Sequence, residues 1–349
     1  MVRKRAVAEP DDDQSDGGGV RRLPAVTLDG WRHFVKSKPI TFDLLDQDKY
    51  HKLSGSTQLD YDDRRMAYHS ELVTIETSVV RRITRQGRLL TLLNQREGGA
   101  RRSMIVSGPW ASGKTTTIKL LGKIHEQTVW RRYPGQDRIP VVYITTPPKG
   151  SPRQLAAEFA HFLGLPTRAR HNTTDIADAV CRVLTDARTE LVIVDEIHNL
   201  NLASAAGEDM SDHLKYFNEH MPATFVYAGI NVERSNLFAG VRGQQISGRS
   251  VLIQTGVFGF DDEWKSLVAT LESALRLYNH QPGTLLRNAK YLHQRTGGSI
   301  SSLSHLVRAS AITAILAGED AITRATLEDT VIDHAAESVT SRPTVAKAI

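Results

Sequence analysis

Five short apolar runs, separated by longer segments with helical periodicity, organise the middle of this chain. The runs lie at 103–107, 140–144, 191–194, 224–228 and 251–255, and the helical patterns at 115–126, 152–163, 175–188 and 209–220. Runs that are apolar on both faces suit strands buried in a parallel sheet, and the helices between them supply the crossovers that parallel strands need. The pattern predicts an α/β fold, a central parallel sheet flanked by helices, with its core over 103–260. From Asp261 onward the pattern is helical throughout, punctuated by Gly283, Gly297-Gly298 and Gly318, which predicts a C-terminal helical bundle over 261–336 and a tail at 337–349. Ahead of the sheet, 24–102 reads as a helical extension, with one long amphipathic stretch over 68–93 started by Asp62-Asp63. Residues 1–23 carry Asp11-Asp-Asp13 and Gly17-Gly-Gly19 with few large apolar residues, and read as a disordered tail.

The turn after the first run brings chemistry. Gly108-Pro-Trp-Ala-Ser-Gly-Lys-Thr115 is a complete G-x-x-x-x-G-K-[ST] phosphate-binding loop between an apolar run and a helical pattern. Gly108 and Gly113 let the backbone curl so that the N–H groups of Pro109-flanked Trp110, Ala111, Ser112 and the residues after them face phosphates. Lys114 supplies charge to the β- and γ-phosphates, Thr115 a hydroxyl for Mg²⁺, and the helix that starts here adds its positive dipole end, so that Gly108 to Thr116, Pro109 included, read as the nucleotide-binding residues. A second motif, Leu191-Val-Ile-Val-Asp-Glu196, is a buried-strand run ending in two carboxylates. Asp195 is placed to hold Mg²⁺ and Glu196 to polarise the water that attacks the γ-phosphate. ATP and Mg²⁺ are therefore the implied ligands, and ATP hydrolysis the implied reaction.

Other residues carry less specific signals. Asn231 follows the fourth run and could position the lytic water; capping a turn is an equally good reading. Arg249 precedes the fifth run, where ring-forming ATPases place an arginine that reaches a neighbour's γ-phosphate, with Arg234 and Arg242 competing for that role. Asp195-Glu-Ile-His198 resembles a helicase box, but the remaining chain shows no second nucleotide-type sheet, and His198 reads as a packing or supporting residue rather than a metal ligand.

Composition narrows the class. The chain has 349 residues, 40% hydrophobic and 24% charged, with net charge +5. That is globular composition with a basic balance that permits a polyanionic partner. Arg81, Arg82, Arg85, Arg88, Arg96, Arg101 and Arg102 face a single acid, Glu97, over 81–102, which reads as a solvated helix face, a DNA contact or a site for an acidic partner. The one cysteine, Cys181, lies in an amphipathic pattern and reads as a buried thiol. With no signal peptide and no apolar stretch near the roughly 18 residues of a membrane span, a cytoplasmic location without membrane contact is expected.

Four stretches together resemble one family: Ser107-Gly-Pro-Trp-Ala-Ser-Gly-Lys-Thr-Thr116, Tyr143-Ile-Thr-Thr-Pro-Pro-Lys-Gly150, Val192-Ile-Val-Asp-Glu-Ile-His-Asn-Leu200 and Gly297-Gly-Ser-Ile-Ser-Ser-Leu-Ser-His-Leu306. The chain resembles the TniB/TnsC-type AAA+ ATPases, regulators of DNA transposition, over roughly 60–335. The resemblance implies an AAA+ P-loop fold with a helical lid, and an ATPase that assembles with itself on double-stranded DNA as a ring or helical filament. It implies partners in a transposase, which the assembly recruits or activates, and in a target-selection adaptor. It also puts Lys149 near the inner face of the oligomer, which makes Lys149 the first candidate for a DNA phosphate contact, with Arg153 and Arg168 behind it. One departure stands out. Relatives in the replication-initiator branch begin a lid helix with an arginine aimed at the nucleotide, whereas Gly298-Ser-Ile-Ser-Ser-Leu303 has none before Arg308. The competing expectation is an initiator-like signalling or defence ATPase whose oligomer contacts proteins rather than DNA.

Overall fold

The computed structural model describes residues 23–71, 75–168, 170, 172–200, 205–234, 240–334 and 336–337; of 205–209 and 240–243 only the backbone is described. Of the expected tails over 1–23 and 337–349, residues 1–22 and 338–349 lie outside the described residues. Five strands, β1 (Ser103–Ser107), β2 (Val141–Thr145), β3 (Leu191–Asp195), β4 (Thr224–Gly229) and β5 (Ser250–Gln254), form one sheet in the order β2-β3-β4-β1-β5. All neighbours are parallel, with Ile105 opposite Tyr227 and Leu252, and Ile193 opposite Tyr143 and Val226. β1 to β4 are buried almost throughout, which is why their sequences run apolar without alternation. The described residues hold no second sheet, so the helicase reading finds no support in the fold.

One face of the sheet carries α1 (Leu28–Lys36), α4 (Ser78–Asn94) and α5 (Lys114–Arg132), the last packed on β2, β3 and β4. α6 (Pro152–Phe162), which packs on β2, α7 (Thr173–Asp186), α8 (Ala205–His220) and α9 (Gly240–Gly248), which packs on β5, make up a further helical layer. Trp31 of α1 is fully buried; it stacks on Tyr143, 5.6 Å between centroids, and its Nε1 donates to Glu126 of α5 at 2.5 Å. Burial raises the Glu126 carboxyl to about 7, against the pull of that hydrogen bond and of Arg32. Cys181 is buried on α7, and burial pushes its thiol up to about 12.

The C-terminal helices α10 (Asp262–Ser273), α11 (Thr284–Arg287), α12 (Ala289–Thr296), α13 (Ile300–Leu316) and α14 (Arg324–Asp329) share a separate apolar core around Trp264, Leu292, Leu306 and Leu327. We call this bundle the lid. Gly297 and Gly298 turn the chain at positive φ, 58° and 73°, between α12 and α13, and a Cβ on Gly298 would meet Phe258 O at 2.3 Å. No single helix among the described residues is long and apolar enough to cross a membrane.

The N-terminal extension corrects the sequence reading. The amphipathic stretch expected over 68–93 is two helices, α3 (Gly55–Ser70) and α4, preceded by the short α2 (Gln47–His51). Glu71 leaves the helix in extended conformation, and Thr77, also extended, starts α4 by accepting from Val80 N. The apolar spacing continues on both sides of this break because α3 and α4 bury different faces against different bodies. α3 packs on α13 of the lid, with Tyr68 Oη donating to Ala274 O at 2.8 Å, whereas α4 packs on α5 and β1. Arg65 of α3 is fully buried between Asp62 and Asp320 and lies 4.9 Å over the Tyr278 ring.

Candidate nucleotide site

The phosphate-binding loop leaves β1 at its carboxyl end and runs into α5. Gly108 has no room for a side chain: a Cβ would sit 2.2 Å from Thr255 Oγ1 and 2.4 Å from Thr255 O. Gly113 stands at φ 80° as the residue before α5, a conformation that L side chains adopt at a cost. The first N–H groups of α5 have no helical acceptor, so this turn presents donors to an anion. Lys114, 6% exposed, folds back over the loop; its Nζ donates to Gly108 O at 3.0 Å and to Pro109 O at 2.6 Å. Burial lowers the Lys114 ammonium pKa, and the charges of Glu196 and Asp195 oppose that shift. Ser112 Oγ bonds Thr255 Oγ1 at 2.7 Å and ties the loop to the end of β5.

Thr115 and Asp195 meet. Thr115 Oγ1 donates to Asp195 Oδ2 at 2.8 Å, bridging the first turn of α5 and the end of β3. Tyr143 of β2 donates to the same Oδ2 at 2.9 Å, and Glu196 N donates to Oδ1 at 2.9 Å. Burial and the Asp195 charge push the Tyr143 phenol far up, so it stays a donor. Sequence reading missed Tyr143 in this role; nothing in a strand pattern marks which residue of β2 will face the end of β3. Glu196 adopts the left-handed conformation, φ 57°, which turns it out of the strand; Thr146 Oγ1 donates to its carbonyl, and its Oε2 lies 3.4 Å from His198 Nε2.

These residues open onto a cavity of about 420 Å³ lined by 110–117, Glu196, Ile230, Thr255 and Phe258. Ile75 and Thr77, from the break between α3 and α4, and Val79 and Val80, from the first turn of α4, close one side, and Ile300, Ser301 and Ser304 of the lid another. The apolar wall from 75–80 was not foreseen, because the sequence reading carried one helix through it. No lid arginine lines the cavity: Arg308 donates instead to His69 O at 3.1 Å and to Ser70 O.

The remaining candidates sit apart. Asn231, at φ 45°, follows Ile230, and its carbonyl accepts from Arg234 N at 2.9 Å, closing a short turn. Arg249 lies at the opposite end of β1, where its carbonyl accepts from Ser103 N and its Nη1 donates to Gly99 O at 3.1 Å. It faces away from its own phosphate loop by the length of a strand. The side chain of Arg242 lies outside the described residues. Lys149, Arg153 and Arg168 are exposed beyond the carboxyl end of β2; Lys149 stands at φ 55°, and Arg153 Nη2 donates to Arg168 O at 3.3 Å. The arginine run over 81–102 divides: Arg82 donates to Gln254 O and Arg101 to Asn218 O and Met221 O, while Arg85 and Arg88 line a groove between α4 and α5.

No curated protein matches the chain. Among solved structures, Aeropyrum pernix Orc1 in complex with DNA superposes with TM-score 0.56 at 15% identity, over 78% of this chain and 66% of that one, just under two thirds of its length. The ADP form of Aeropyrum pernix Orc2 gives TM-score 0.56 at 17% identity, over 80% and 72%, and Drosophila ORC bound to DNA gives 0.54 at 14%, over 84% and 68%. At these identities the likeness is one of fold, and the fold is that of AAA+ P-loop ATPases: a parallel five-stranded sheet with a C-terminal helical lid. The model of the bacterial TniB protein family matches residues 65–249, more than half of the chain, and the chain belongs to that family.

Proposed function

We propose that this protein is an ATPase that assembles with itself on double-stranded DNA in its ATP-bound state and regulates DNA transposition. The observation that carries the ATPase reading is the Thr115–Asp195 contact beside Lys114 and Glu196, because it sets a hydroxyl, an ammonium and a carboxylate on the wall of one cavity with a second, buried carboxylate bonded to the hydroxyl behind them. Thr115 and Asp195 would hold Mg²⁺, which when bound offsets charge on the β- and γ-phosphates. The residues fit that ion: a hard cation takes oxygen ligands, and few protein ligands suffice when phosphates supply the rest. Lys114 exchanges its loop carbonyls for phosphate oxygens. Glu196 takes the proton of the attacking water, and Asn231 orients that water. Arg249, turned away from its own site, serves the site of a neighbour.

The DNA reading is supported by Lys149, Arg153 and Arg168 on one exposed end of the sheet, by the basic net charge of +5, and by fold relatives solved with DNA. Phosphate contacts position a protein without reading sequence, so target choice is loose, and repetition along the assembly supplies affinity. The assembly would recruit or activate a transposase and answer to a target-selection adaptor.

Duplex binding measured with and without a slowly hydrolysed ATP analogue tests this function. Binding should require the analogue and fall steeply with salt as counterions are released. Lys149→Ala should weaken binding on all sequences alike and leave ATP affinity intact. Absence of DNA binding by the wild type in every nucleotide state would favour an oligomer that contacts proteins.

A further inference from the structure

The short turn after β3 places His198 between the Glu196 carboxylate and the main chain of Ile230. Ile230 N donates to His198 Nδ1 at 3.2 Å. A ring nitrogen that accepts a backbone N–H carries no proton, so the proton of the neutral ring is on Nε2. That nitrogen lies 3.4 Å from Glu196 Oε2. The imidazole therefore stands between the Glu196 carboxylate, at ion-pair distance, and the main chain one residue before Asn231, to which it is hydrogen-bonded.

The surroundings hold the ring in this place. Ile197 is fully buried under the turn, Asn199 Nδ2 donates to Thr146 O at 3.3 Å, and Leu200 is bridged to Gly150. Gly229 leaves the room that the ring needs, since a Cβ there would stand 3.1 Å from His198 Nδ1 and 2.9 Å from Val232 Cγ2. Glu196, by contrast, has a side chain 37% exposed, with rotamer freedom to lose when it is fixed.

We propose that His198 is a positioning residue for Glu196: its Nε2–H fixes the carboxylate toward the lytic water and locks it in register with the Ile230–Asn231 end of β4. This rests on the reading of Glu196 as the group that accepts the proton of the water. A general base contributes only within hydrogen-bond reach of that proton, and a misplacement of about 1 Å costs up to roughly 10²-fold.

The test is steady-state ATP hydrolysis by the full chain with DNA, using two isosteric replacements. His198→Asn keeps an oxygen that accepts from Ile230 N but is too short to reach Glu196. His198→Gln carries an amide N–H to the place of Nε2. His198→Asn should lower kcat by roughly tenfold to 10²-fold at unchanged KM, and His198→Gln should recover most of that loss. Neither should alter binding of a slowly hydrolysed ATP analogue, which also reports that the variants are folded. On a Glu196→Gln background, His198→Asn should have no further effect, because the two act as one unit. Wild-type kcat in both variants, equal loss in both, a change in KM alone, or faster hydrolysis by His198→Asn would each overturn the proposal while leaving the ATPase reading in place. Undiminished hydrolysis by Glu196→Gln alone would overturn both.

Discussion

Thr115 Oγ1 and Asp195 Oδ2 stand 2.8 Å apart, although they belong to strand–loop units that β4 separates in the sheet. The contact brings two hard oxygen donors to one point with Tyr143 holding the carboxylate from behind. Asp195→Asn should raise the Mg²⁺ concentration needed for half-maximal hydrolysis by about tenfold or more. A magnesium titration checks it, and an unchanged midpoint would remove Asp195 from the metal site.

The two ends of the site should fail differently. Lys114→Ala should lose ATP binding, because the main side-chain charge on the phosphates is gone. Glu196→Gln should bind ATP and not hydrolyse it, trapping the ATP-bound assembly. Fluorescent-nucleotide titration and sedimentation separate the two, and equal loss of affinity in both variants would contradict the roles assigned.

Arg249 should act in trans. Arg249→Ala should bind ATP normally and hydrolyse it roughly 10³–10⁵-fold more slowly, as for other arginine fingers. Mixing it with Lys114→Ala should restore turnover, since one protein supplies the site and the other the finger. Failure of the mixture, with both variants able to co-assemble, would return the search to Arg234 and Arg242.

Arg65 is the fully buried cation between Asp62 and Asp320, and removal of one partner leaves a carboxylate without its counter-charge. Arg65→Met should cost roughly 3–5 kcal/mol of stability by chemical denaturation. Adding Asp320→Asn should recover part of it, because the stranded charge is removed and asparagine tolerates the positive φ of 55° at that position. A loss below about 1 kcal/mol would show that the pair behaves like a surface bridge.

Glu126 gives a pH signature. Its carboxyl is raised to about 7 by burial, so the native state keeps a proton that the unfolded chain gives up near its ordinary pKa of 4.5. Its contribution to stability is present below that value and is lost as pH rises through about 7. The loss is on the order of 3 kcal/mol. His69, lowered to about 4 by burial, works the other way between its ordinary value of 6.5 and 4, so the wild-type profile is blunted. Glu126→Gln isolates the carboxyl: the difference in unfolding free energy between the two proteins should shift toward the variant between pH 5 and 7.5, and a difference flat with pH would refute the buried acid.

The residues of the candidate nucleotide site could be picked out because phosphate binding demands fixed residue types at fixed spacing. Lys114, Thr115, Asp195 and Glu196 were singled out for that reason, and the structure brings them together. Residues that enter the site through strand order were not. Tyr143 reaches Asp195 only because β2 lies beside β3, and His198 meets Ile230 only because β4 lies on the other side. α9 was hidden by Gly240, Gly243 and Gly248, which depress helix propensity across it. The break between α3 and α4 was invisible to periodicity, which reports that a face is buried and not which body buries it.

That break has a mechanical meaning. α3 is fastened to the lid and α4 to the sheet, and Ile75 and Thr77 between them form part of the wall against which a nucleotide would rest. Order along the chain and membership of a packed body therefore disagree: α2 and α3, which come before the sheet in sequence, are an outrigger of the bundle that comes after it. A probe fixed on α2 or α3 would report on the lid, and a truncation that spared the whole sheet but began at Ser78 would strip the lid of its brace at Asp320 and the cavity of Ile75 and Thr77 from one wall.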